Sequence, residues 1–547
     1  MELSDLIQTS QVDNVRVSCP MLPTMTGTLC VSSHHLLLCP VAEKGTKQEE
    51  SDFWLLHSDV DTVEKSVFNI GMFQNTDYGH DGTVKSGMGT VTLKCKDLRV
   101  IHLEIPGMEE TLNIARSVQA LSSLNSITLT YPFFHRPLGC ILGKGWPRDT
   151  TENFYQRFAA ETDAWRVSEV NEEFKICPSY PAKVIVPRSC SDDTLKKAAK
   201  FRQGGRFPIL CYYHRTNGMV LLRSAQPMVG TSRRCCEEDN ALLDEALVGE
   251  LPGFIIDTRS AQEAKQARSA GGGTEKKSRY PNWRILHRPL ERGQALQESL
   301  TRLVTACYEP SQLMNRWLSR LQASRWMSNV KEALSIAGLI SECIEREGAC
   351  VLVHGEEGTD NTLLMTSLAQ LIMSPECRTW EGFQDLLERE WLQAGHPFQL
   401  RCARLGWSQS RSQHESPHFM LFLDCCWQLT RQFPQSMEFN EAFLCMLAKH
   451  VYSSEYGTFL CNNERERNVY EVQDRTLSLW GFLNESKQRP KLLNPMYKPN
   501  PLTIWPSVAP QSLQLWEGFF LRYLLPSKNT ELAWQRILEL VEQSKSH

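Results

Sequence analysis

Apolar and polar residues alternate through the first part of the chain, and such alternation is typical of β-strands with one buried face. The strands predicted in this way are Gly27–Pro40 (as a hairpin), Phe53–His57, Val91–Cys95 and Arg99–Ile105. A helix should follow directly, because Ile114, Val118 and Leu121 recur at helical spacing. Several strands and one closing helix predict a small β domain over residues 1–124.

After this helix the pattern changes to short apolar runs that alternate with helical segments. The predicted strands are Lys183–Pro187, Pro208–Tyr213, Met219–Leu222 and Gly253–Asp257. The predicted helices are Ser191–Phe201, Ser299–Cys307, Gln312–Ala323, Met327–Glu345, Thr379–Trp391 and Phe419–Phe433. Strands that alternate with helices predict an α/β sheet covered on both faces. We therefore expect a multidomain α+β protein with a large α/β domain over residues 146–525.

Three segments lie outside this pattern. Residues 125–145 contain several prolines and glycines and should form a linker. Asn69–Gly89 is polar, carries several glycines and shows little periodicity, so we expect a mobile loop. Residues 526–547 predict a short helix, with an apolar stripe formed by Trp534, Ile537, Leu538 and Val541. This stripe covers about two heptads and predicts either a truncated coiled coil or a helix docked on its own domain.

The stretch Ala349–Gln370 is the most informative part of the chain. Its apolar run Cys350–Val353 predicts a short strand, and the small and polar residues Gly355–Asn361 predict a tight loop. A helix with leucines at helical spacing then follows, and Thr362 is expected at its N-cap or in its first turn. A tight loop before a helix N-terminus gathers unpaired N–H donors and can therefore seat an anion.

Three kinds of anion-binding loop use this geometry. The stretch matches neither the nucleotide-binding motif G-x-x-x-x-G-K-[ST] nor the dinucleotide motif G-x-G-x-x-G. The third kind is the phosphatase loop Cys-x5-Arg, in which a thiolate attacks phosphorus and an Arg holds the phosphate oxygens. The segment VHGEEGTDNT fits this frame, but Gly355 stands at the Cys position and Asn361 at the Arg position. Taken alone, an ordinary Gly-rich turn between a strand and a helix is an open alternative.

We call this segment the degenerate phosphate loop. It comprises His354, Gly355, Glu356, Glu357, Gly358, Thr359, Asp360, Asn361 and Thr362.

Long segments on both sides of the loop resemble the myotubularins, which remove the D3 phosphate of phosphoinositides and carry a VHCSDGWDRT-like loop when active. The matching segments are Trp165–Pro187, Gly205–Gly230, Arg378–Phe398 and Phe422–Phe439. The resemblance covers nearly the whole chain. It implies a PH/GRAM-like domain followed by a phosphatase-like domain. Gly355, Asn361 and the segment Trp505–Gly518 are similar to the catalytically inactive branch of the family.

The resemblance also implies what each loop position can do. Asp360 corresponds to the loop Asp proposed as the general acid in active members, but here there is no nucleophile for it to assist. Glu356 and Glu357 stand where active members have Ser and Asp, and they add negative charge to a phosphate seat. Loss of the nucleophile in a covalent mechanism typically costs about six orders of magnitude in rate. We therefore expect no catalytic residue and no phosphatase activity.

Three further features have ordinary interpretations. Gly271–Gly273 matches a GGGYE segment that lies beside the site in active relatives, but a bare flexible turn is expected here. Asp424 lies in an apolar segment and should be a buried carboxylate paired with Arg or backbone rather than a functional acid. Arg401, Arg404 and Arg411 could line an anion pocket, but a solvated face is expected.

By resemblance, we expect a regulatory subunit that binds an active myotubularin-related lipid phosphatase and raises its activity or stability, on endosomal or endoplasmic reticulum membranes. Pairing of two copies of this chain is also open. Direct phosphoinositide contact should be weak, because the early turn Met21–Gly27 contains neither Lys nor Arg. Two alternatives are a residual lipid phosphatase with another nucleophile and a stand-alone phosphoinositide-binding scaffold.

Composition restricts the partners and the compartment. The net charge is −4 and the chain has no long basic run, which argues against a nucleic-acid partner. An acidic N-terminus without an apolar segment, and the lack of any apolar run of ~18 residues, predict a cytoplasmic protein. The 19 cysteines are scattered and lack zinc-ligand spacing. We expect reduced thiols and neither a metal nor a cofactor.

Overall fold

The computed structural model describes residues 3–40, 53–67, 88–124, 126–129, 133, 145–147, 150–249, 251–309, 313–407, 414–524 and 543. In the first domain, the described strands form one antiparallel sheet of seven, in the order β4-β3-β2-β1-β7-β6-β5. These strands are β1 (Gln11–Ser18), β2 (Met25–Val31), β3 (His35–Pro40), β4 (Phe53–Leu56), β5 (Val60–Val67), β6 (Met88–Cys95) and β7 (Val100–Pro106). Helix α1 (Met108–Ser122) follows the sheet.

The core of this domain lies between the sheet and α1. Ile114, Val118 and Leu121 of α1 are buried in it, which confirms the predicted helical face. The predicted hairpin and the strands at β4, β6 and β7 are confirmed as well. β1 was not predicted, because a bulge between Val12 and Val15 breaks its alternation.

The second domain contains a two-stranded sheet and a five-stranded sheet. Strands β8 (Trp165–Ser168) and β9 (Val184–Pro187) pair with each other. The five-stranded sheet has the order β10-β11-β14-β12-β13. Its strands are β10 (Ile209–Tyr213), β11 (Val220–Ser224), β12 (Gly253–Asp257), β13 (Trp283–His287) and β14 (Val351–His354). β10 runs antiparallel to β11, and the other pairs are parallel.

Helices surround this sheet, as the sequence predicted. The helices up to β14 are α2 (Thr150–Gln156), α3 (Asp192–Phe201), α4 (Glu237–Asp244), α5 (Ala261–Gln266), α6 (Gly293–Tyr308), α7 (Met314–Ser324) and α8 (Trp326–Glu345). The next helices after it are α9 (Asn361–Met373), α10 (Trp380–Leu387), which continues as a π-helix over Glu388–Leu392, the four-residue α11 (Phe398–Arg401), α12 (His418–Gln432) and α13 (Glu441–Tyr452). Short helices follow at α14 (Glu464–Val469), α15 (Val472–Arg475), α16 (Leu479–Leu483), α17 (Arg489–Leu492) and α18 (Glu517–Phe520).

Strand β14 is the central strand of the five-stranded sheet. The degenerate phosphate loop connects it directly to helix α9. All four residues of β14 are buried, so both faces of the sheet are covered at this strand. Every residue of α9 is buried too, and the helix contacts α8 and α12. The strand–loop–helix order predicted for Ala349–Gln370 is therefore confirmed.

The two domains contact each other through Trp407. Its indole N–H donates to the carbonyl of Cys95 at 2.9 Å, and its backbone N–H donates to Asp61 Oδ2 at 3.0 Å. Its ring meets Tyr308 of α6 edge-on, and Lys94 of β6 lies 5.3 Å from its centroid. Trp407 is thus one of several contacts between the first sheet and the second domain, and Ser58 with Ser453 and Asp97 with Arg522 are others.

Several predictions fall partly or wholly outside the described residues. They are most of the linker 125–145, residues 69–87 of the predicted loop Asn69–Gly89, and the C-terminal stripe Trp534, Ile537, Leu538 and Val541. Met88 and Gly89, also assigned to that loop, instead begin β6. Among the described helices, none combines the length and apolarity that crossing a bilayer requires.

Asp424 is buried in α12, as predicted, but its predicted partners are wrong. It accepts hydrogen bonds from Trp326 Nε1 at 2.7 Å and from Gln428 Nε2 at 3.0 Å. Burial raises the pKa of this carboxyl to about 6. Asp424 therefore ties α12 to α8 through side chains, and among the described residues neither an Arg nor a backbone group bonds it.

Candidate functional site

The degenerate phosphate loop begins where β14 ends, at the carboxyl edge of the parallel strands. His354 is in register with Ser224 of β11 and Asp257 of β12. Asp360 is the N-cap residue of α9, with φ 54° and ψ −104°, and its side chain makes no capping hydrogen bond. Thr362 lies in the first turn and does not cap the helix, and its buried hydroxyl has no hydrogen-bond partner among the described residues.

Gly355 occupies the position at which the phosphatase loop carries its nucleophile. A Cβ atom at this position would lie 2.7 Å from the hydroxyl oxygen of Thr258 and 3.6 Å from that of Thr362. Real Cβ contacts are longer than the first of these distances, so a side chain here requires Thr258 to rotate. The place of the missing sulfur is thus bordered by two hydroxyl groups.

Asn361 occupies the position of the phosphate-binding Arg. Its amide nitrogen lies 3.4 Å from the carbonyl oxygen of Leu290 and 3.5 Å from that of Glu291. Its amide oxygen is buried and has no partner among the described residues. Asn361 contacts the neighbouring backbone and carries no charge that could hold a phosphate.

The carboxylates of the loop are paired with arginines from other elements. Glu356 meets Arg292 at 2.6 Å, and Glu357 lies 3.4 Å from Arg401. Asp360 is 2.9 Å from the same Arg401. The sequence predicted a solvated face for Arg401, and this is wrong, since its side chain is only 15% exposed and bonds the loop. Arg404 approaches Glu415 at 4.0 Å, and Arg411 lies outside the described residues.

Two histidines complete the surroundings of Asp360. His396 Nδ1 lies 3.0 Å from Asp360 Oδ1, and His418 is fully buried nearby. Burial lowers the pKa of His396, and it lowers the pKa of His418 to about 4. Burial alone would raise the pKa of Asp360, but His418, His396 and Arg401 hold it well below its ordinary value. Asp360 therefore stays ionised at neutral pH and has no proton to give to a leaving group.

A buried charge network supports the loop from behind. His354 Nε2 lies 3.0 Å from Glu275, and Glu275 accepts a hydrogen bond from Arg202 at 2.7 Å. Arg202 also makes a two-pronged contact with Asp239 at 2.7 and 2.8 Å, and Tyr280 donates to the same carboxylate. Sequence analysis missed this network, because its members are far apart in the chain and follow no period.

The glycines around the loop make close backbone contacts. Gly358 has φ +71°, and a Cβ there would overlap the carbonyl of Ser224. Its own carbonyl accepts from Arg206 Nη2 at 2.8 Å. The segment Gly271–Gly273 was expected to be a bare flexible turn, and this is wrong. Gly272 and Gly273 are buried, and Gly273 N–H donates to Gln226 Oε1 at 3.0 Å.

No cysteine among the described residues belongs to the loop, and all 18 described cysteines are free. Cys402 is close enough to Asp360 to feel its charge, but it is buried. Burial, and then the Asp360 carboxylate, raise the pKa of its thiol, which keeps it protonated. A thiolate that could replace the missing nucleophile is therefore not found in the described part of the site.

These features define a class of protein: an α/β domain with the strand–loop–helix frame of a Cys-x5-Arg phosphatase, in which neither the Cys nor the Arg is present. A family model described as "Myotubularin-like phosphatase domain" matches residues 130–468. The chain belongs to the myotubularin family.

Relatives match along the full length. The chain is similar to cattle myotubularin-related protein 9-like, with 53% identity over 100% of this chain and 97% of the relative. It is 49% identical to human myotubularin-related protein 9, over 100% and 95% of the two chains. It is 31% identical to the mouse phosphatidylinositol-3,5-bisphosphate 3-phosphatase MTMR6, over 95% and 81%.

Proposed function

We propose that this chain is a catalytically inactive pseudophosphatase that acts as a regulatory subunit of an active myotubularin-related phosphoinositide 3-phosphatase. The observation that carries the proposal is the pair Gly355 and Asn361, which puts neither a thiol nor a guanidinium at the two chemical positions of the loop. The rest of the frame supports it, because the strand before the loop and the helix after it are both fully buried.

The polar surroundings of the loop also support inactivity. Arg401 is already bonded to Asp360 and Glu357, and Arg292 is already bonded to Glu356. A phosphate entering this seat would compete with both carboxylates for one guanidinium, and a buried pair is costly to break. The same ion pairs hold the loop in a fixed conformation. This is consistent with a domain whose surface binds a partner and whose loop catalyses no reaction.

The alternative of a residual phosphatase with another nucleophile has little support. The described thiol whose charge environment includes Asp360 is Cys402, and burial keeps it protonated. The alternative of a stand-alone phosphoinositide-binding scaffold gets no support from the early turn of the first domain, where Lys and Arg would be expected to hold such a lipid. Met21–Gly27 carries neither.

The proposal includes a division of the chain into parts with separate tasks. In this division we assign residues 1–124 to a PH/GRAM-like domain, 125–145 to a linker and 146–525 to the inactive phosphatase-like domain. For residues 526–547, which lie almost wholly outside the described residues, the short helix stays a sequence prediction. Trp534, Ile537, Leu538 and Val541 are the candidate partner-binding residues of that helix. The complex would sit in the cytoplasm, peripherally on endosomal or endoplasmic reticulum membranes. Binding to the folded partner stabilises it by mass action alone.

The test mixes the pure full-length chain with an active relative, for which the MTMR6 phosphatase is a suitable first choice. Co-elution in size-exclusion chromatography and a change in the partner's rate of phosphate release support the regulatory role. A chain ending at residue 525 should lose co-elution if the C-terminal stripe binds the partner. Full-length chain that neither co-elutes with active relatives nor alters their rates contradicts the proposal.

A further inference from the structure

A cavity of about 230 Å³ lies beside the charge network that supports the loop. Four of its lining side chains are cationic, namely Arg233, Arg234, Lys276 and Arg279. They come from two segments far apart in sequence, the turn after Gly230 and the turn after Gly273. Residues 355–362 do not line this cavity, so it is separate from the degenerate phosphate loop.

The positive charge of this cavity is uncompensated. Within the described parts of the chain, none of the four cations forms an ion pair or a side-chain hydrogen bond. The carboxylate in the lining, Glu275, is already held by Arg202 at 2.7 Å and by His354 at 3.0 Å. Arg233, Arg234 and Arg279 are exposed and Lys276 is half-buried, so water screens much of the repulsion among these like charges. An anion bound between them would relieve the repulsion that remains.

Backbone hydrogen bonds fix both walls of the cavity. On one wall, Gly230 N–H donates to the carbonyl of Gly272 at 2.9 Å, and Arg234 N–H donates to that of Val229 at 2.8 Å. On the other wall, Arg279 N–H donates to the carbonyl of Lys276 at 2.8 Å. Because the turns are already ordered, binding a ligand would order only side chains.

We propose that this cavity binds an anion that carries two or more phosphate groups. The Arg guanidinium matches phosphate oxygens in pairs, and three arginines with one lysine offer more positive charge than a single phosphate can satisfy. A membrane lipid headgroup and a soluble polyphosphate share this chemistry. The inference does not depend on the regulatory role, since it concerns a different set of residues.

The first arm of the test uses inositol hexakisphosphate and isothermal titration calorimetry on the full chain. The variant K276Q/R279Q removes two of the four cations and should weaken binding about tenfold or more, because charge-assisted hydrogen bonds to phosphate are about twice as strong as neutral ones. The matched control is R116Q/K331Q, which removes one Arg and one Lys that are exposed and unpaired in the described structure. The control should bind within about twofold of the parent.

The second arm identifies the source of the phosphates. Sedimentation with phosphatidylcholine vesicles, with and without phosphatidylinositol 3,5-bisphosphate, should show lipid-dependent capture that K276Q/R279Q loses if the ligand is a headgroup. Calorimetric binding without vesicle capture supports a soluble ligand. The proposal is overturned if neither probe binds, if K276Q/R279Q binds like the parent, or if R116Q/K331Q loses as much affinity as K276Q/R279Q.

Discussion

The guanidinium of Arg401 lies 2.9 Å from the carboxylate of Asp360, so this Arg is bonded to the N-cap residue at the end of the loop. Asp360 departs from helical geometry at this point, with φ 54°. An Arg that reaches in from α11 therefore holds the transition from loop to helix. This contact stabilises the conformation of the loop. It also leaves less of the positive charge of Arg401 available to a phosphate.

Replacing Arg401 by Gln should destabilise the fold, because Asp360 would keep its buried charge and lose its cation. We expect the free energy of unfolding to fall by about 3 kcal/mol, measured by urea denaturation. The control R302Q breaks an exposed pair with Glu298 on one face of α6 and should cost about 0.5 kcal/mol or less. Equal losses in the two variants would mean that the Asp360 pair is no stronger than a surface pair.

Alanine at Gly358 should be much more harmful than alanine at Gly204, although both glycines have positive φ. A Cβ at Gly204 meets nothing within 4 Å, so the cost of G204A comes only from its backbone conformation, about 1 kcal/mol. A Cβ at Gly358 overlaps the carbonyl of Ser224, and G358A should lose about 3 kcal/mol or more. Thermal unfolding of the two variants measures the difference, and similar melting temperatures would argue against the close packing of the loop on β11.

The contact between His354 and Glu275 should contribute to the free energy of unfolding at low pH, and this contribution should decrease as the pH rises. Burial alone would lower the pKa of His354, but Glu275 and Asp257 raise it above its ordinary value. A raised pKa in the folded state stabilises the protein fully below about pH 6.5, the ordinary His value, and this contribution is lost as pH rises through the folded-state pKa.

Urea denaturation of the parent and of H354Q at several pH values measures this contribution. The difference in unfolding free energy should be about 1–3 kcal/mol near pH 6 and should shrink as the pH rises. A difference that stays constant or grows with pH would show that His354 is neutral in the folded protein.

Trp407 should couple the two domains. The variant W407A loses the indole hydrogen bond to Cys95 and the ring contacts with Tyr308 and Lys94, and we expect a loss of about 3 kcal/mol. The control W54A removes a Trp that is 55% exposed on β4 and should cost less than about 1 kcal/mol. Urea curves monitored by fluorescence should show a lower midpoint in W407A, while Ser453 and Arg522 still contact the first domain. A single unshifted transition would contradict this coupling.

The sequence predicted what is local in this fold. The apolar run of β14, the turn residues after it and the helical spacing of α9 lie within one stretch, and periodicity alone was enough to place them. The helix predicted from Ser191 is local as well, because the Ser191 hydroxyl caps α3 by accepting from Thr194 N–H at 3.3 Å. The absence of the Cys and the Arg could be read from the sequence, because the Cys-x5-Arg motif fixes the spacing between them.

What the sequence could not supply is contact between distant residues. Glu275 and His354 are 79 positions apart, and nothing in the spacing of either residue indicates the other. Arg401 was expected on a solvated face because that is the usual place of a charged side chain, yet the fold turns it onto Asp360. The short strand β8 was also missed, because four residues that begin with a buried Trp165 give too little alternation to detect.

The most direct measurement is phosphate release from phosphatidylinositol 3-phosphate by the pure full-length chain, with an active relative assayed in parallel. With Gly355 and Asn361 at the two chemical positions, the chain should release no phosphate above the rate without protein, while the active relative does. Turnover by the pure chain at ordinary enzyme rates, retained after removal of any co-purifying phosphatase, would contradict the account.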